Sequence, residues 1–258
     1  MEVIDLKRTF REIDGELKFY RNTLILQNKE ASFYAYTYER FQKWDQIKID
    51  ELDVFPIPPE DVYPPFSPTF SLAPDPLPPN CYVKKSDLLG YKPGASVGSR
   101  PCDILLQELR ICEILKEHPH INIAQYIGCT VQDDRVHGLV FIKYQMTLAE
   151  RLEDKDRPLR LEIYLKGIEN GLKHLHDLGF VHNDINPHNI MLTEDDTPVI
   201  IDFNTVQREG EECTSCGTDG WSPEEMKLVV RQNDYYGLAR IREALETGKM
   251  PDYDEPWT

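Results

Sequence analysis

Apolar residues recur along this chain in two rhythms. Between residues 24 and 38 the rhythm is two: Leu24-Ile25-Leu26 precedes a run in which Tyr34, Tyr36 and Tyr38 alternate with Phe33, Ala35 and Thr37. That alternation predicts a pair of strands, with Arg21-Asn22 as a turn before the first and the tyrosine stripe as sheet packing. Cys81-Tyr-Val-Lys84 reads as a further short strand, and Asp103 as the cap of a helix with Leu105, Leu109, Cys112 and Leu115 on one face. Strands are expected near 124–131 and 136–142. The second half opens on the helical rhythm, with Leu161, Tyr164, Leu165, Ile168, Leu172, Leu175 and Leu178 at helical spacing and Gly179 as the stop. Short buried strands are expected from Asn189 to Leu192 and from Pro198 to Ile201, and a last helix near Asn233-Asp234. Strands with one helix come first and mostly helices follow, an α+β order that suggests two unequal lobes with a cleft between them.

Proline interrupts both rhythms. Ten of the 24 residues from Pro56 to Pro79 are proline, which removes backbone donors and argues for an extended connector. Such a segment either clothes the fold or offers a polyproline helix to a partner that reads one. The expected divisions are an N-terminal β-hairpin region over 1–53, the proline-rich connector over 54–80, a first lobe over 81–145 and a second over 146–258.

Charge narrows the partners. The 258 residues carry 29 Lys and Arg against 45 Asp and Glu, a formal net charge of −16, which repels phosphate backbones and anionic headgroups. Nucleic acid and membrane surfaces are therefore not expected as partners. No run approaches the roughly 18 apolar residues of a membrane span, and the N-terminus lacks the pattern of a secretory leader, so the expected location is intracellular, cytoplasmic or nuclear. Six cysteines are too few for a disulfide scaffold. Cys213-Thr-Ser-Cys216 has the spacing of half a zinc site, but no second pair follows it, and it is expected to hold no metal.

Two aspartates each end an apolar run, where an unpaired charge is costly: Asp184 after Gly179-Phe-Val-His-Asn, and Asp202 after Val199-Ile-Ile. Between them the chain reads His182-Asn-Asp184-Ile-Asn-Pro-His-Asn189, and Phe203 follows Asp202. These stretches resemble the protein kinase superfamily, whose catalytic loop has the form H-R-D-x-x-x-x-N and whose metal-binding turn is D-F-G. Other elements agree in order and spacing: Cys81-Tyr-Val-Lys84 in the place of V-A-I-K, Glu108 on the following helix, His118-Pro-His-Ile-Asn-Ile123 closing it, and Gly217-Thr-Asp-Gly-Trp-Ser-Pro-Glu224 in the place of G-T-x-x-Y-x-A-P-E.

The resemblance implies a two-lobed kinase-like fold, a small β-rich N-lobe with one helix and a reduced, mostly helical C-lobe. It implies ATP and Mg²⁺ as cofactors. Asp184 and Asn189 are the expected catalytic residues, Lys84, Glu108 and Asp202 the nucleotide-binding set, and Asn189 and Asp202 the metal ligands. Asp234 is expected to brace the catalytic loop. The implied activity is phosphoryl transfer to a Ser or Thr hydroxyl of an unknown protein substrate; a pseudokinase acting as a binding module and a small-molecule kinase are the alternatives. The chain resembles the reduced, C-terminally truncated kinase-like proteins of filamentous fungi. It departs from the pattern in having no glycine-rich loop before Lys84, Asn183 and Asn186 in place of arginine and lysine, and Asn204 in place of the glycine after Asp-Phe. The change at Asn204 is the mildest of these, since asparagine tolerates left-handed backbone conformations better than other side chains.

Overall fold

The N-terminal region holds more strands than the alternation foretold. In the computed structural model, which describes residues 1–28, 31–41, 43, 46–214 and 217–250, β1 (Glu2–Ile13) pairs antiparallel with β2 (Glu16–Gln27). The turn between them is Asp14-Gly15, both at positive φ (57° and 76°), the backbone that a tight two-residue hairpin demands. Strand β1 is irregular at its start, where Ile4 is an extra residue between Val3 and Asp5, and a second register shift, between Thr9 and Phe10, leaves Tyr20 as an extra residue on β2. Arg21 and Asn22, expected in a turn, lie inside β2. Strand β3 (Ser32–Thr37) pairs with β2, and β4 (Val54–Pro56) with β3, so the sheet order is β1-β2-β3-β4. Its proximal end is buried on both sides. Leu24, Leu26 and Ala35 pack with Val3, Leu6 and Val54 on one face, and Ile25 with Ile57, Val62 and Tyr91 on the other.

The proline-rich stretch is more structured than an extended connector. Pro56 ends β4, and Pro59 opens a one-turn helix, α1 (Pro59–Val62), where its missing N–H matters least. The N–H of Phe66 donates to Asp134 and that of Val136 to Pro64. Further on, Cys129 donates to Ser71 and Ala73 donates back to Cys129. Gly128 permits this passage, since a Cβ there would stand 2.5 Å from the Ala73 nitrogen. The described residues divide into two units, Met1–Pro68 with Lys85–Leu106 and Val131–Gly138, and Thr69–Lys84 with Gln107–Thr130 and the described residues from Leu139 onward. This division cuts across the expected segments and splits the proline-rich stretch at Pro68.

The later elements follow the sequence reading closely. They are β5 (Cys81–Lys84), α2 (Pro101–Glu117), β6 (Tyr126–Gln132) and β7 (Arg135–Ile142), with sheet order β5-β7-β6. Helix α2 begins at Pro101, so Asp103 sits inside its first turn and not at its cap; its carboxylate accepts from the N–H of Gly98 (2.9 Å) and pairs with the Arg100 guanidinium. Then come β8 (Met146–Thr147), α3 (Leu148–Glu153), α4 (Leu161–Asp177), β9 (Phe180–Val181), β10 (Ile190–Leu192), β11 (Pro198–Ile200), β12 (Gln207–Arg208) and α5 (Arg231–Thr247). Strands β11-β10-β8 form one small sheet and β12-β9 another, and α4 buries Tyr164, Leu165, Ile168, Leu172 and Leu175. Among the described residues no helix is long and apolar enough to cross a membrane. Ser215 and Cys216 lie outside the described residues.

Helix α5 presses directly on the loop after β9: a Cβ on Gly237 would collide with the Ile185 carbonyl oxygen and stand 2.9 Å from the Ile185 Cβ. The backbone at both places must shift to accept one. Gly237→Ala is therefore expected to cost about 1 to 3 kcal/mol and to lower the calorimetric melting temperature by roughly 2 to 10 °C. An unchanged melting temperature would show that the two segments do not press on each other.

Candidate active site

The lysine of β5 is placed by pairing, since Lys84 lies opposite Leu139 of β7. Its ammonium sits between two carboxylates, 2.6 Å from Glu108 Oε1 and 2.6 Å from Asp202 Oδ1. Glu108 is only 2% exposed and also accepts the N–H of Phe203 at 3.1 Å, so one carboxylate ties α2 to both the lysine and the segment after β11. Burial works against the charge on Lys84, but the two carboxylates outweigh it and hold the ammonium above the usual lysine range. Burial pushes the Glu108 carboxyl above its ordinary range, against the pull of Lys84. The direct Lys84–Asp202 pair was not foreseen in the sequence.

The left-handed residue of the Asp202-Phe203-Asn204 turn is Asp202 itself, at φ 63°, and not Asn204. Aspartate tolerates this conformation almost as well as asparagine. The N–H of Ile201 donates to the Asn189 carbonyl at 3.0 Å, which sets Asn189 beside Asp202 as the sequence reading required. Asp202 Oδ2 and Asn189 Oδ1 have no hydrogen-bond partner among the described residues. They are two hard oxygens of the kind Mg²⁺ takes. Among the described residues no three His, Cys, Asp or Glu side chains come together to hold a metal ion, so a cation here would complete its shell with phosphate oxygens and water.

Asp184 is held by uncharged donors. Its Oδ1 accepts from Asn186 Nδ2 (2.9 Å), the Thr218 N–H (2.9 Å) and the Thr218 hydroxyl (2.8 Å), and its Oδ2 from Asn189 Nδ2 (2.9 Å). Asn186 also orders the turn, accepting from the N–H groups of His188 and Asn189. Behind it, the Asp234 carboxylate, with no exposed surface, accepts from the N–H of His182 (3.0 Å) and of Asn183 (2.8 Å) and lies 2.7 Å from His176 Nε2. Asn183, at φ 66°, donates to the Thr205 carbonyl (3.1 Å) and accepts from Asn233 (3.0 Å). The sequence reading assigned no contact to Thr218, Thr205, Asn233 or His176; the Gly217-Thr218 pair was the available pointer to the first.

Beside Lys84, Glu108 and Asp202 lies a cavity of about 410 Å³, walled by Tyr82, Ala124, Phe141, Met146, Met191 and Ile201, with Thr147 and Glu150 at its edge. It pairs an apolar wall with a charged corner, the arrangement of a site for a flat heterocycle carrying an anionic tail.

Beside this cavity stand a partly buried lysine clamped by two carboxylates and a loop aspartate met by an asparagine five residues on, and the protein kinase domain family matches residues 94–253. The chain belongs to that family, with its α+β fold. It is similar to a probable LIM domain-containing serine/threonine-protein kinase of Dictyostelium discoideum, 32% identical over 104 residues, covering 38% of this chain and 16% of the relative. It is similar to the serine/threonine-protein kinase Tao of Drosophila melanogaster, 27% identical over 140 residues, 53% of this chain and 13% of the relative. Serine/threonine-protein kinase H1 of Homo sapiens is 26% identical over 166 residues, 56% of this chain and 38% of the relative. The chain thus spans between 13% and 38% of the length of these three relatives.

Lys84→Met removes the one cation paired with Glu108 among the described residues and is expected to lift that carboxyl further. An acid whose folded-state pKa lies above its unfolded one keeps a proton that the unfolded chain has released, so stability falls as pH rises out of the ordinary carboxylate range. Between about pH 5 and pH 7.5 the melting temperature of the variant is expected to fall more steeply than that of the wild type. Parallel slopes would mean that Lys84 does not set the ionisation of Glu108.

Proposed function

We propose that the chain is a serine/threonine protein kinase that transfers the γ-phosphoryl group of ATP, with Mg²⁺, to a hydroxyl of a protein substrate. The observation that carries this reading is that Lys84, Glu108 and Asp202 meet at one end of an apolar cavity while hydrogen bonds from Asn186, Asn189 and Thr218 hold Asp184 in place. Each residue then has a task. Lys84, fixed by Glu108, neutralises phosphate charge. Asn189 Oδ1 and Asp202 Oδ2 would hold Mg²⁺, which supplies charge neutralisation on the β- and γ-phosphates. Asp184 orients the acceptor hydroxyl and takes its proton as the acceptor oxygen bonds to the γ-phosphorus and the bond to the bridging oxygen of ADP breaks.

One observation favours a second reading, a binding module with little transfer: Asn186 stands where many kinases bring a lysine to the transferred phosphoryl. A phosphate site without that charge binds nucleotide and transfers slowly. The exposed prolines Pro74, Pro76 and Pro79 would suit a partner that reads polyproline helices.

Side-by-side measurement of turnover and ATP affinity decides between them. Asp184→Asn is expected to lower transfer by about 10² to 10⁴ with nucleotide affinity nearly intact, whereas Asp202→Asn weakens both. At ATP about 100 times its dissociation constant the wild type gains about 2.7 kcal/mol. Equal turnover in wild type and Asp184→Asn, with a thermal shift by Mg-ATP retained, would leave the binding module standing; no shift at all would overturn both.

A further inference from the structure

The outer half of the β1–β2 hairpin lies outside the family match and contributes nothing to the site above. One of its faces carries a continuous arginine–tyrosine array. The Arg11 guanidinium lies 3.3 Å above the Tyr20 ring, and that of Arg21 lies 3.9 Å from the Tyr36 centroid and 5.6 Å from Tyr20. Tyr20 meets Tyr38 edge-on at 5.9 Å, and Tyr38 is 64% exposed. Thr9 lies opposite Arg21 and Lys7 opposite Thr23, so alternation sets Lys7, Thr9 and Arg11 in line on this face. None of Lys7, Arg11 and Arg21 has a carboxylate partner among the described residues, and the Arg21 Nε is buried without an acceptor.

Charges on an edge strand commonly serve only to keep other strands away. That role asks for hydrated, mobile side chains. Here two guanidiniums are already ordered on aromatic faces and partly stripped of water, so much of the entropy and desolvation cost of meeting an anion is met before one arrives. The local charge permits it as well. Residues 1–41 hold seven Lys and Arg against seven Asp and Glu, so the whole net charge of −16 belongs to the rest of the chain.

Strand β1 is the outermost of its sheet, and its outer backbone groups have no strand partner among the described residues. On its opposite face Phe10 is 43% exposed. We propose that β1 is a docking edge for an acidic peptide of a partner protein, which adds as a fifth strand with carboxylates at every second position facing Lys7 and Arg11 and apolar side chains between them facing Phe10. Arg21, one strand further in, reinforces the field. A second copy fits less well, because symmetric pairing centred on Thr9 sets Lys7 against Arg11 of the other copy. Single-stranded nucleic acid fits less well too, because the ring faces that bases would stack on are occupied by guanidiniums.

The test uses the full chain and a fluorescein-labelled decapeptide of alternating Glu and Val, with the Lys-Val peptide and oligo-dT as comparisons. The Glu-Val peptide is expected to bind and to weaken as salt rises; Lys7→Gln with Arg11→Gln should weaken it about 10-fold, or about 1.4 kcal/mol. Arg8→Gln, on the other face of β1, should leave binding within about 2-fold. Arg11→Lys, which keeps the charge and loses the stack, should fall between. Both altered side chains of the double variant are exposed, and equal melting temperatures establish that it folds. Binding indifferent to the double variant, equal binding of the Lys-Val peptide, tighter binding of oligo-dT, or no binding at millimolar peptide would each overturn the proposal. So would a concentration-dependent dimer that the double variant abolishes.

Discussion

A carboxylate sealed from solvent is intolerable unless donors surround it, and Asp234 is sealed completely. Its needs are met by two backbone N–H groups, of His182 and Asn183, and by His176 on α4. This demand brings α5, α4 and the loop after β9 together and holds Asn183 in a left-handed conformation. Helix α5 repeats the contact on neighbouring positions of the same face, with Asn233 donating to Asn183 and Gly237 flush against Ile185. The loop aspartate therefore projects from a backbone fixed on both sides, at His182 and Asn183 before it and at Ile185 after it. Its position is determined by the fold alone, which is what the proposed role of Asp184 as proton acceptor requires.

The two halves of the site are stabilised by different physics. Lys84, Glu108 and Asp202 form a charged cluster in which each member is costly without the others. Asp184 is surrounded by amides, a hydroxyl and a backbone N–H, all neutral. Dipoles at hydrogen-bond distance are little affected by salt, and none of them depends on a phosphorylated segment to arrive. Asn183 carries this furthest. At the position where many kinases bring an arginine that clamps a phosphate, it uses its amide to join the Thr205 carbonyl to Asn233, tying the start of the segment to the loop by short bonds.

Asp184 and Asp202 stood out in the sequence, because an ionised group after an apolar run demands an explanation, and the resemblance to the kinase family from Lys84 to Asp234 suggested one. Helices α2 and α4 were legible because each declares itself by a helical period of apolar residues. What escaped was decided by contacts between distant residues. Nothing near Asp202 says that it, and not Asn204, takes the positive φ; the Lys84 pair and the Phe203 N–H bond to Glu108 select it. Thr218 reaches Asp184 from 34 residues away. Two breaks in register interrupt the hairpin, one with Ile4 as the extra residue on β1, which shifts the alternation of that strand near its start, and one with Tyr20 as the extra residue on β2.

Those breaks have a consequence for the surface as well as for recognition of the strand. The irregularity between Thr9 and Phe10 makes room for Tyr20 as an extra residue on β2, and with it two consecutive residues, Tyr20 and Arg21, contribute to one face of the sheet where strict alternation allows one. Tyr20 thereby comes under Arg11 while Arg21 comes over Tyr36. A regular hairpin would put Tyr20 on the face opposite Arg21 and leave Arg11 without a ring beneath it. The register shift between Thr9 and Phe10 is thus the feature that assembles the arginine–tyrosine array, and a deletion that restored the register would dismantle the array while leaving the rest of the sheet paired.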